Sequence, residues 1–196
     1  MPSSADAFDA AIDRAVEAVQ DAVAAADDPH QIVLIDGRSG SGKTTLAARL
    51  RERWRGPGSG GGTVQVVALD DLYPGWDGLA QGAAIACVRV LGPVHAGRSA
   101  WWRRWDWTHS APGDAVRTRA NAPLIIEGAG LLTEESAALA SVRVWLESPT
   151  DSRRARALAR DGETYRPHWE RWAAQEDAHL TAHDPRHLAT IVVDVP

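Results

Sequence analysis

The sequence is poor in cysteine and in lysine. Of its 196 residues one is a cysteine, Cys87, and one is a lysine, Lys43, which stands among 21 basic residues. A lone cysteine can form neither an internal disulfide nor a cysteine-rich metal cluster, and this fits a reducing compartment. The single lysine raises a different question, because a chain that otherwise uses arginine places it in a glycine-rich segment.

Long apolar runs and clusters of basic residues are also absent from the sequence. No run approaches the roughly 18 apolar residues that span a bilayer, and the first ten residues lack the basic region and apolar core of a signal peptide. The net charge is −5, and the arginines are spread along the chain. We therefore expect a cytoplasmic protein that binds neither membranes nor nucleic acid.

The composition is that of one globular domain, residues 1–196, with 44% hydrophobic and 24% charged residues. Short apolar runs alternate with longer amphipathic patterns, which is typical of an α/β fold with a buried, mainly parallel sheet. The apolar runs are 31–36, 63–70, 122–128, 141–148 and 189–196. Helices are predicted at 5–26, 42–53, 79–91, 134–140, 150–160 and 168–181. The glycine-rich residues 56–62 are predicted to form a flexible loop.

Residues 37–44, Gly-Arg-Ser-Gly-Ser-Gly-Lys-Thr, carry the clearest functional signal. They satisfy the pattern G-x-x-x-x-G-K-[ST] between a predicted buried strand and a predicted helix. Glycines let successive backbone N–H groups turn toward a phosphate, and the helix N-terminus adds positive charge. An ammonium group fits between phosphate oxygens where a wider guanidinium would not, which explains the lone lysine.

This motif predicts the three-layer α/β fold of P-loop NTPases, with a five-stranded, mainly parallel sheet and helices on both faces. Lys43 is expected to contact the β and γ phosphates of ATP, and the Thr44 hydroxyl is expected to bind Mg²⁺. The predicted nucleotide-binding residues are Gly37, Ser39, Gly40, Ser41, Gly42, Lys43, Thr44 and Thr45.

Acidic residues at the ends of apolar runs distinguish between classes of nucleotide-binding protein. With no second lysine, the chain cannot contain the Asn-Lys-x-Asp motif of GTP-specific switch proteins. Glu127 is expected at the metal, and the absence of a second acid after it favours phosphoryl transfer over hydrolysis. Asp70 and Asp71 end another run at the same sheet edge, where a kinase needs a carboxylate to accept the acceptor's proton. The sequence leaves open which of the two is the base, and all three acids could instead lie in solvated turns.

At these positions the sequence resembles P-loop kinases of the uridine kinase, phosphoribulokinase and pantothenate kinase group, and is most similar to uridine kinase-like proteins. The resemblance rests on Ile35 to Thr45, Asp70-Asp71-Leu72-Tyr73, Trp105-Asp106-Trp107 with His109, Glu127-Gly128, and the arginine-rich segment ending at Arg160-Asp161. It covers most of residues 31–195 and implies an acceptor-binding segment in 70–110 and a lid in 153–167, while the helix expected in residues 1–28 rests on its apolar spacing alone.

The resemblance also implies roles for individual residues. The strand of Glu127 would lie beside the strand of the phosphate loop, and Asp70 would be the catalytic base. Arg156 and Arg160 of the lid would neutralise the transferred phosphoryl group, acting together because a spacing of four puts them on one helix face. The alternative is that the row of arginines is a solvated helix face.

The acceptor is less well determined. Residues 101–109 hold four of the nine tryptophans, which either stack on planar rings and sugars or pack in the core. By resemblance, the substrate-binding residues are Asp71, Tyr73, Trp76, Arg104, Trp105, Asp106 and His109. Trp105 stands where the family usually has tyrosine, and residues 74–100 form a shorter segment, which leaves the acceptor open. Arg98, Arg103 and Arg104 could instead hold an anionic acceptor.

We therefore predict an ATP- and Mg²⁺-dependent kinase with a small-molecule hydroxyl acceptor, most like a nucleoside kinase of the uridine type. Its catalytic residues would be Lys43, Asp70, Arg156 and Arg160, with Thr44 and Glu127 at the metal. The alternatives are a nucleoside monophosphate kinase and a non-catalytic module that uses ATP as a switch. The oligomeric state stays open, a homo-oligomer included.

Three further expectations concern the C-terminal part of the chain. Pro167 is expected to interrupt a helix. Trp169 and Trp172 are expected to pack the last long helix onto the sheet, although together with Tyr165 they could instead close over the nucleotide. The histidines at 168, 179, 183 and 187 lack a recognisable metal spacing and are expected at the surface.

Overall fold

The computed structural model describes residues 4–26, 28–55 and 64–196, so the predicted loop at 56–62 lies outside the described residues. The helices are α1 (Ser4–Ala25), α2 (Lys43–Glu52), α3 (Leu79–Ile85), α4 (Gly92–His95), α5 (Glu134–Ala137), α6 (Thr150–Tyr165), α7 (Trp169–His183) and α8 (Pro185–Leu188). The strands are β1 (Ile32–Gly37), β2 (Gln65–Ala68), β3 (Ala100–Asp106), β4 (Ala111–Thr118), β5 (Leu124–Glu127), β6 (Val142–Glu147) and β7 (Ile191–Asp194). Short 3₁₀ turns cover Leu69–Asp71 and Arg166–His168, and a π-helical turn, Ala86–Leu91, joins α3 to α4.

Five strands form one sheet in the order β2-β5-β1-β6-β7, and every neighbouring pair is parallel. The predicted α/β fold with a five-stranded parallel sheet is therefore confirmed. Because the strands are parallel, their carboxyl ends lie at one edge of the sheet, and ligands of such sheets bind beyond that edge. The strand of Glu127, β5, lies beside β1, as the resemblance implies.

The core has two layers, one on each face of the sheet. Successive side chains of a strand point to opposite faces, so Ile32 and Leu34 of β1 enter one layer while Val33 and Ile35 enter the other. The first layer includes residues of α3, α6 and α7, and the second includes residues of α1 and α2. The near-continuous apolar runs in the sequence reflect this burial on both faces.

Helix α1 packs against α2 and the sheet through its apolar stripe, which includes Ile12, Val16 and Val19. Arginines of α2 and the turn after it pair with its acidic face, and Arg49 contacts both Asp9 and Asp13. In the part of the chain that the structure describes, α1 included, no helix has the length and apolarity required to cross a bilayer.

Strands β3 and β4 form a separate antiparallel hairpin that the sequence did not predict. The pairing register shifts between Arg103 and Trp105, so the regular alternation of exposed and buried residues is broken there. Trp102 is buried and donates its indole N–H to the Thr118 hydroxyl at 3.0 Å, whereas Trp101 is 65% exposed. The tryptophan-rich segment therefore has both a core role and a surface role.

Helices α6 and α7 follow one another with a short interruption. Gly162 has a φ of 58° and a ψ of −136°, which breaks the regular helix inside α6. Pro167 lies in the 3₁₀ turn between α6 and α7. The interruption expected at this proline is thus present, and it sends α7 back across the carboxyl edge of the sheet, where it contacts the phosphate loop.

Candidate active site

The phosphate loop (residues 37–44) joins β1 to α2 and has the backbone that an anion cradle needs. Gly40 has a φ of 77° and Gly42 a φ of 107°, which residues with side chains rarely adopt. A Cβ at Gly40 would overlap the Arg153 carbonyl oxygen, and one at Gly42 would lie 3.1 Å from the Phe8 ring. Within the described ranges, the Ser41 N–H donates to the Arg38 carbonyl oxygen at 3.1 Å, whereas the N–H groups of Gly40, Gly42, Lys43 and Thr44 have no protein acceptor. They suit a phosphate group at the N-terminus of α2.

Lys43 and Thr44 begin α2 and lie beside Glu127. Only 8% of Lys43 is exposed, and its ammonium group donates to the Arg38 carbonyl oxygen at 3.1 Å. The Thr44 hydroxyl donates to Oε1 of Glu127 at 3.0 Å. This contact follows from the sheet, because the pairing of β1 with β5 sets Ile35 opposite Glu127.

The chemistry of the Thr44 and Glu127 oxygens fits Mg²⁺, which prefers hard oxygen ligands. In the described parts of the chain, no cluster of three or more His, Cys, Asp or Glu side chains is suited to hold a metal ion. Mg²⁺ in nucleotide sites is usually held by one or two protein groups, with phosphates and water completing its shell.

Burial raises the pKa of Glu127 above its ordinary value, because the carboxylate has lost water, and the nearby charge of Lys43 offsets only part of that effect. The folded protein therefore binds this proton more tightly than the unfolded chain does. The contribution of this carboxyl group to the stability of the free protein is fully present below its ordinary pKa of 4.5. It is lost as the pH rises through the raised pKa.

Glu127→Gln is expected to raise the melting temperature of the free protein at pH 8 and to change it less at pH 5. Glutamine keeps the size and an oxygen for the Thr44 hydroxyl but removes the buried charge. Calorimetry at the two pH values measures the difference. The wild type, measured at the same two pH values, is the reference. A destabilising effect of Glu127→Gln that grows from pH 5 to pH 8 would contradict this view of the site.

Asp70 reaches the same edge of the sheet from β2. It lies in the 3₁₀ turn after that strand, and the Trp107 indole N–H donates to its backbone carbonyl at 2.8 Å. The side chain opens into the cavity in front of the phosphate loop. The cavity walls displace water and raise the pKa of Asp70, while the charges of Arg160 and Lys43 act in the opposite direction.

Asp71 has different surroundings, although it is the next residue. Its carboxylate pairs with Arg104 at 3.0 Å, and it does not line the cavity. The two acids are distinguished by the turn, which directs Asp70 toward the phosphate loop and Asp71 toward the hairpin. Asp70 is therefore the carboxylate in position to meet a bound ligand.

A single cavity of about 580 Å³ brings these groups together. The phosphate loop forms its floor, and Asp70 and Glu127 lie on one side of it. Among the described residues that line it, Lys43 and Arg160 are the cationic ones. An aromatic wall completes the cavity and consists of Tyr73, Trp76, Trp107, Tyr165 and Trp172.

Trp76 lies at the centre of this aromatic wall. Its ring stacks with His168, at a centroid distance of 4.1 Å, and with Tyr165, at 5.6 Å. Trp107 lies 5.0 Å away in a tilted orientation. The wall thus joins the segment after β2, the hairpin and the end of α6, and it offers a rigid apolar surface to a flat ligand.

The structure brings Arg160 into the cavity but not Arg156. Arg160 pairs with Asp161 at 2.8 Å, and this hydrogen bond raises the pKa of the guanidinium. Arg156 instead donates to the Gly40 carbonyl at 2.8 Å and lies over the Phe8 ring at 5.0 Å. The expectation that the two arginines act together on one ligand is therefore corrected: four residues, about 6 Å, separate them along α6, and Arg156 reaches only the outer side of the loop.

Two further arginines of α6, Arg153 and Arg154, differ from each other in their exposure. Arg153 is 3% exposed and donates to the carbonyl oxygens of Ser39, at 3.2 Å, and Ser148, at 3.0 Å. Arg154 is exposed and has no recorded partner in the described part of the chain. Arg154 thus lies on a solvated helix face, as the alternative interpretation expects, while Arg153 stabilises the phosphate loop through the Ser39 carbonyl oxygen.

Several residues predicted to bind the acceptor lie outside the cavity. Tyr73 and Trp76 line it, but Arg104, Trp105, Asp106 and His109 do not. Asp106 accepts from the His109 ring at 2.7 Å and from two backbone N–H groups, so it closes the tip of the hairpin. The hydrogen bond from His109 lowers the pKa of this exposed carboxyl. The hairpin contributes Trp107 to the cavity instead.

Helix α7 contributes site residues, of which the sequence suggested Trp172 but not Gln175 or Glu176. Trp172 lines the cavity, Gln175 donates to the Trp76 carbonyl at 2.8 Å, and Glu176 contacts the phosphate loop. Trp169 and Trp172 both pack in the core, as expected. The spacing of residues 172, 175, 176 and 179 is that of one helix face, which is the signal that could have found them.

His179 is buried, so the expectation of a surface histidine is wrong for this residue. Its Nε2 lies 3.3 Å from Oδ2 of Asp36, a fully buried residue of β1. Asp36 also accepts the backbone N–H groups of Gly37, Gly130 and Leu132 at 2.6 to 3.0 Å. Asp36 therefore ties the start of the phosphate loop to the segment after β5, and α7 closes over it.

Comparison with known proteins found no matching family model and no matching curated protein. Solved structures match over nearly the whole chain. A possible uridine kinase from Bacillus stearothermophilus has a TM-score of 0.66 at 21% identity, covering 93% of this chain and 96% of its own. A candidate fructose transport system kinase from Silicibacter sp. TM1040 has a TM-score of 0.57 at 21% identity, covering 90% and 98%. The YGR205w protein has a TM-score of 0.51 at 10% identity, covering 94% and 92%. These matches confirm the fold that the phosphate-loop motif predicts: the chain has the α/β fold of P-loop NTPases and shares it with these solved structures.

Proposed function

We propose that this chain is a Mg²⁺-dependent kinase that transfers the γ-phosphoryl group of ATP to a hydroxyl of an uncharged, ring-bearing small molecule. A nucleoside of the uridine type is the first candidate. The observation that carries the proposal is the single cavity in which the phosphate loop faces Asp70 and the aromatic wall. A nucleotide on the loop and a flat acceptor on the wall would meet beside that carboxylate.

Each residue has a separate task in this proposal. The loop N–H groups and Lys43 bind the phosphates, and Thr44 and Glu127 hold Mg²⁺, which supplies positive charge to the phosphate oxygens when bound. Asp70 accepts the proton of the acceptor hydroxyl as that oxygen attacks. Arg160 offsets the negative charge on the transferred group.

An uncharged acceptor fits the cavity better than a phosphorylated one. Both cations that line it in the described structure, Lys43 and Arg160, are needed by the nucleotide phosphates. The arginines considered for an anionic acceptor, Arg98, Arg103 and Arg104, do not line the cavity. The names of the two kinases that share the fold refer to uridine and to fructose, which are uncharged compounds with several hydroxyl groups.

A panel of acceptors tests the proposal. ADP release is measured with MgATP and nucleosides, nucleoside monophosphates, sugars or pantothenate-like alcohols. We expect acceleration by at least one uncharged ring-bearing alcohol. Acceleration by monophosphates alone would support the nucleotide kinase instead, and slow hydrolysis that no acceptor changes would support a nucleotide-dependent switch.

Arg160→Ala is expected to lower kcat by about 10²-fold with a smaller effect on the affinity for MgATP, since its charge matters most as the phosphoryl group transfers. Arg154→Ala on the same helix is the matched control, because that side chain is exposed and does not line the cavity. Steady-state kinetics of both variants measure the effect. Equal rates for the two variants would remove Arg160 from the proposed mechanism.

A further inference from the structure

Ser39 of the phosphate loop is held through all its polar groups by helices distant in the sequence. Its backbone N–H donates to Oε1 of Glu176 at 2.6 Å. Its carbonyl oxygen accepts from Arg153 at 3.2 Å, and its hydroxyl accepts from the Tyr165 hydroxyl at 2.9 Å. The first half of the loop thus takes its conformation from α6 and α7.

Glu176 differs from the other two partners because it is a buried carboxylate that contacts two loop residues. It is 3% exposed, and its second oxygen, Oε2, accepts from Nε of Arg38 at 3.0 Å. Each oxygen therefore has its own donor, and hydrogen bonds to an ionised acceptor are stronger than those between neutral groups. Asp177 pairs with the same arginine at 2.8 Å, but it is 65% exposed and makes no recorded contact with Ser39.

We propose that Glu176 is a positioning residue for the phosphate loop. By accepting the Ser39 N–H on the outer side of the loop, it fixes the turn that leaves the N–H groups of Gly40, Gly42, Lys43 and Thr44 for the phosphates. This inference deepens the proposed function and rests on it for the identity of the ligand. Glu176 itself does not line the cavity.

A role of Glu176 through its charge and a role through its position predict opposite changes in the affinity for MgATP. A carboxylate near the loop repels phosphate, and its removal would leave Arg38 with Asp177 as its one acidic partner and Arg153 without the nearby charge of Glu176. If Glu176 acted only through its charge, Glu176→Gln would bind MgATP more tightly. If it acts by position, the same variant binds more weakly, because glutamine presents an N–H₂ group to one of the two donors.

The experiment compares MgATP binding by calorimetry in the wild type, Glu176→Gln, Glu176→Asp and the control Asp177→Asn. We expect Glu176→Gln to raise Kd about tenfold and Asp177→Asn to change it less than about twofold. Glu176→Asp keeps the charge but withdraws it by one methylene, so it should also bind weakly. Binding by Glu176→Gln that equals or exceeds the wild type, or full affinity in Glu176→Asp, would overturn the inference.

Amide hydrogen exchange provides a readout that needs no ligand. In the free protein, exchange in residues 37–44 should be about tenfold faster in Glu176→Gln and unchanged in Asp177→Asn, since only the first loses the bond to the Ser39 N–H. Unchanged exchange in both variants would overturn the positioning role. If the wild type binds no MgATP but Glu176→Gln still exchanges faster than the wild type and Asp177→Asn does not, the proposed function is refuted and the positioning role stands.

Discussion

Asp70→Asn is expected to lower kcat by about 10²- to 10⁴-fold and to leave the Kd for MgATP within about twofold of the wild type. Asparagine keeps the shape of the side chain but cannot accept the proton of an attacking hydroxyl. Asp70 lines the cavity opposite the phosphate loop and, in the described structure, makes no hydrogen bond or ion pair with it, although the charge of Lys43 acts on its carboxylate. MgATP should therefore bind normally, but phosphoryl transfer should be slow because no carboxylate accepts the proton of the acceptor hydroxyl.

Asp71→Asn is the matched comparison, because it changes the neighbouring carboxylate to the same amide. Asp71 pairs with Arg104 and points toward the hairpin, so its loss should affect turnover far less than the loss of Asp70. Rates with the preferred acceptor and direct binding of MgATP are both measured. If Asp71→Asn abolished turnover and Asp70→Asn did not, Asp71 and not Asp70 would be the catalytic base.

Lys43→Arg is expected to lower kcat/KM for ATP by about 10²- to 10³-fold, although the charge is kept. The ammonium group lies inside the loop against the Arg38 carbonyl, and only 8% of the residue is exposed. A planar guanidinium is wider and cannot take the same position between the loop and a phosphate. The only lysine of the chain is thus explained by the space that the loop leaves for it.

Arg51→Lys serves as the reverse substitution on the same helix, at an exposed position that does not line the cavity. It should leave kcat/KM for ATP unchanged. Wild-type kinetics in Lys43→Arg would mean that the loop binds phosphate through its backbone alone. That result would exclude a specific role for the Lys43 ammonium group and would be compatible with phosphate binding by the loop N–H groups.

The parts of the site that could be predicted from the sequence are those set by local pattern. The turn from β1 into α2 needs glycines at fixed positions, so the motif predicts it directly. The contact between Thr44 and Glu127 depends on which strands are neighbours, which the apolar runs do not specify and the family resemblance implied.

Other parts depend on long-range packing that no local pattern shows. The bulge between Arg103 and Trp105 removes the alternation by which a strand is recognised, and the hairpin was missed for that reason. Glu176 lies on a helix face with the spacing of a buried stripe, but nothing in the sequence says that this face meets Ser39. Arg156 shares a helix face with Arg160, yet only the path of α6 past the loop decides which one reaches the cavity.

Helix α7 links the two halves of the proposed reaction. Trp172 and Gln175 contact the side of the aromatic wall, and Glu176 contacts the phosphate loop one residue later. Helices are stiff over such short distances, so the acceptor wall and the nucleotide cradle share one support. This arrangement agrees with a site that must hold two substrates in a fixed relation.

The most direct test of the account is product analysis after incubation of the protein with MgATP and a single uncharged nucleoside or sugar at a time. We predict that at least one acceptor gains one phosphoryl group on a hydroxyl and that ADP forms in equal amount. ADP formation at the same rate with and without every acceptor, with no phosphorylated product, would contradict the claim that this cavity is a phosphoryl-transfer site.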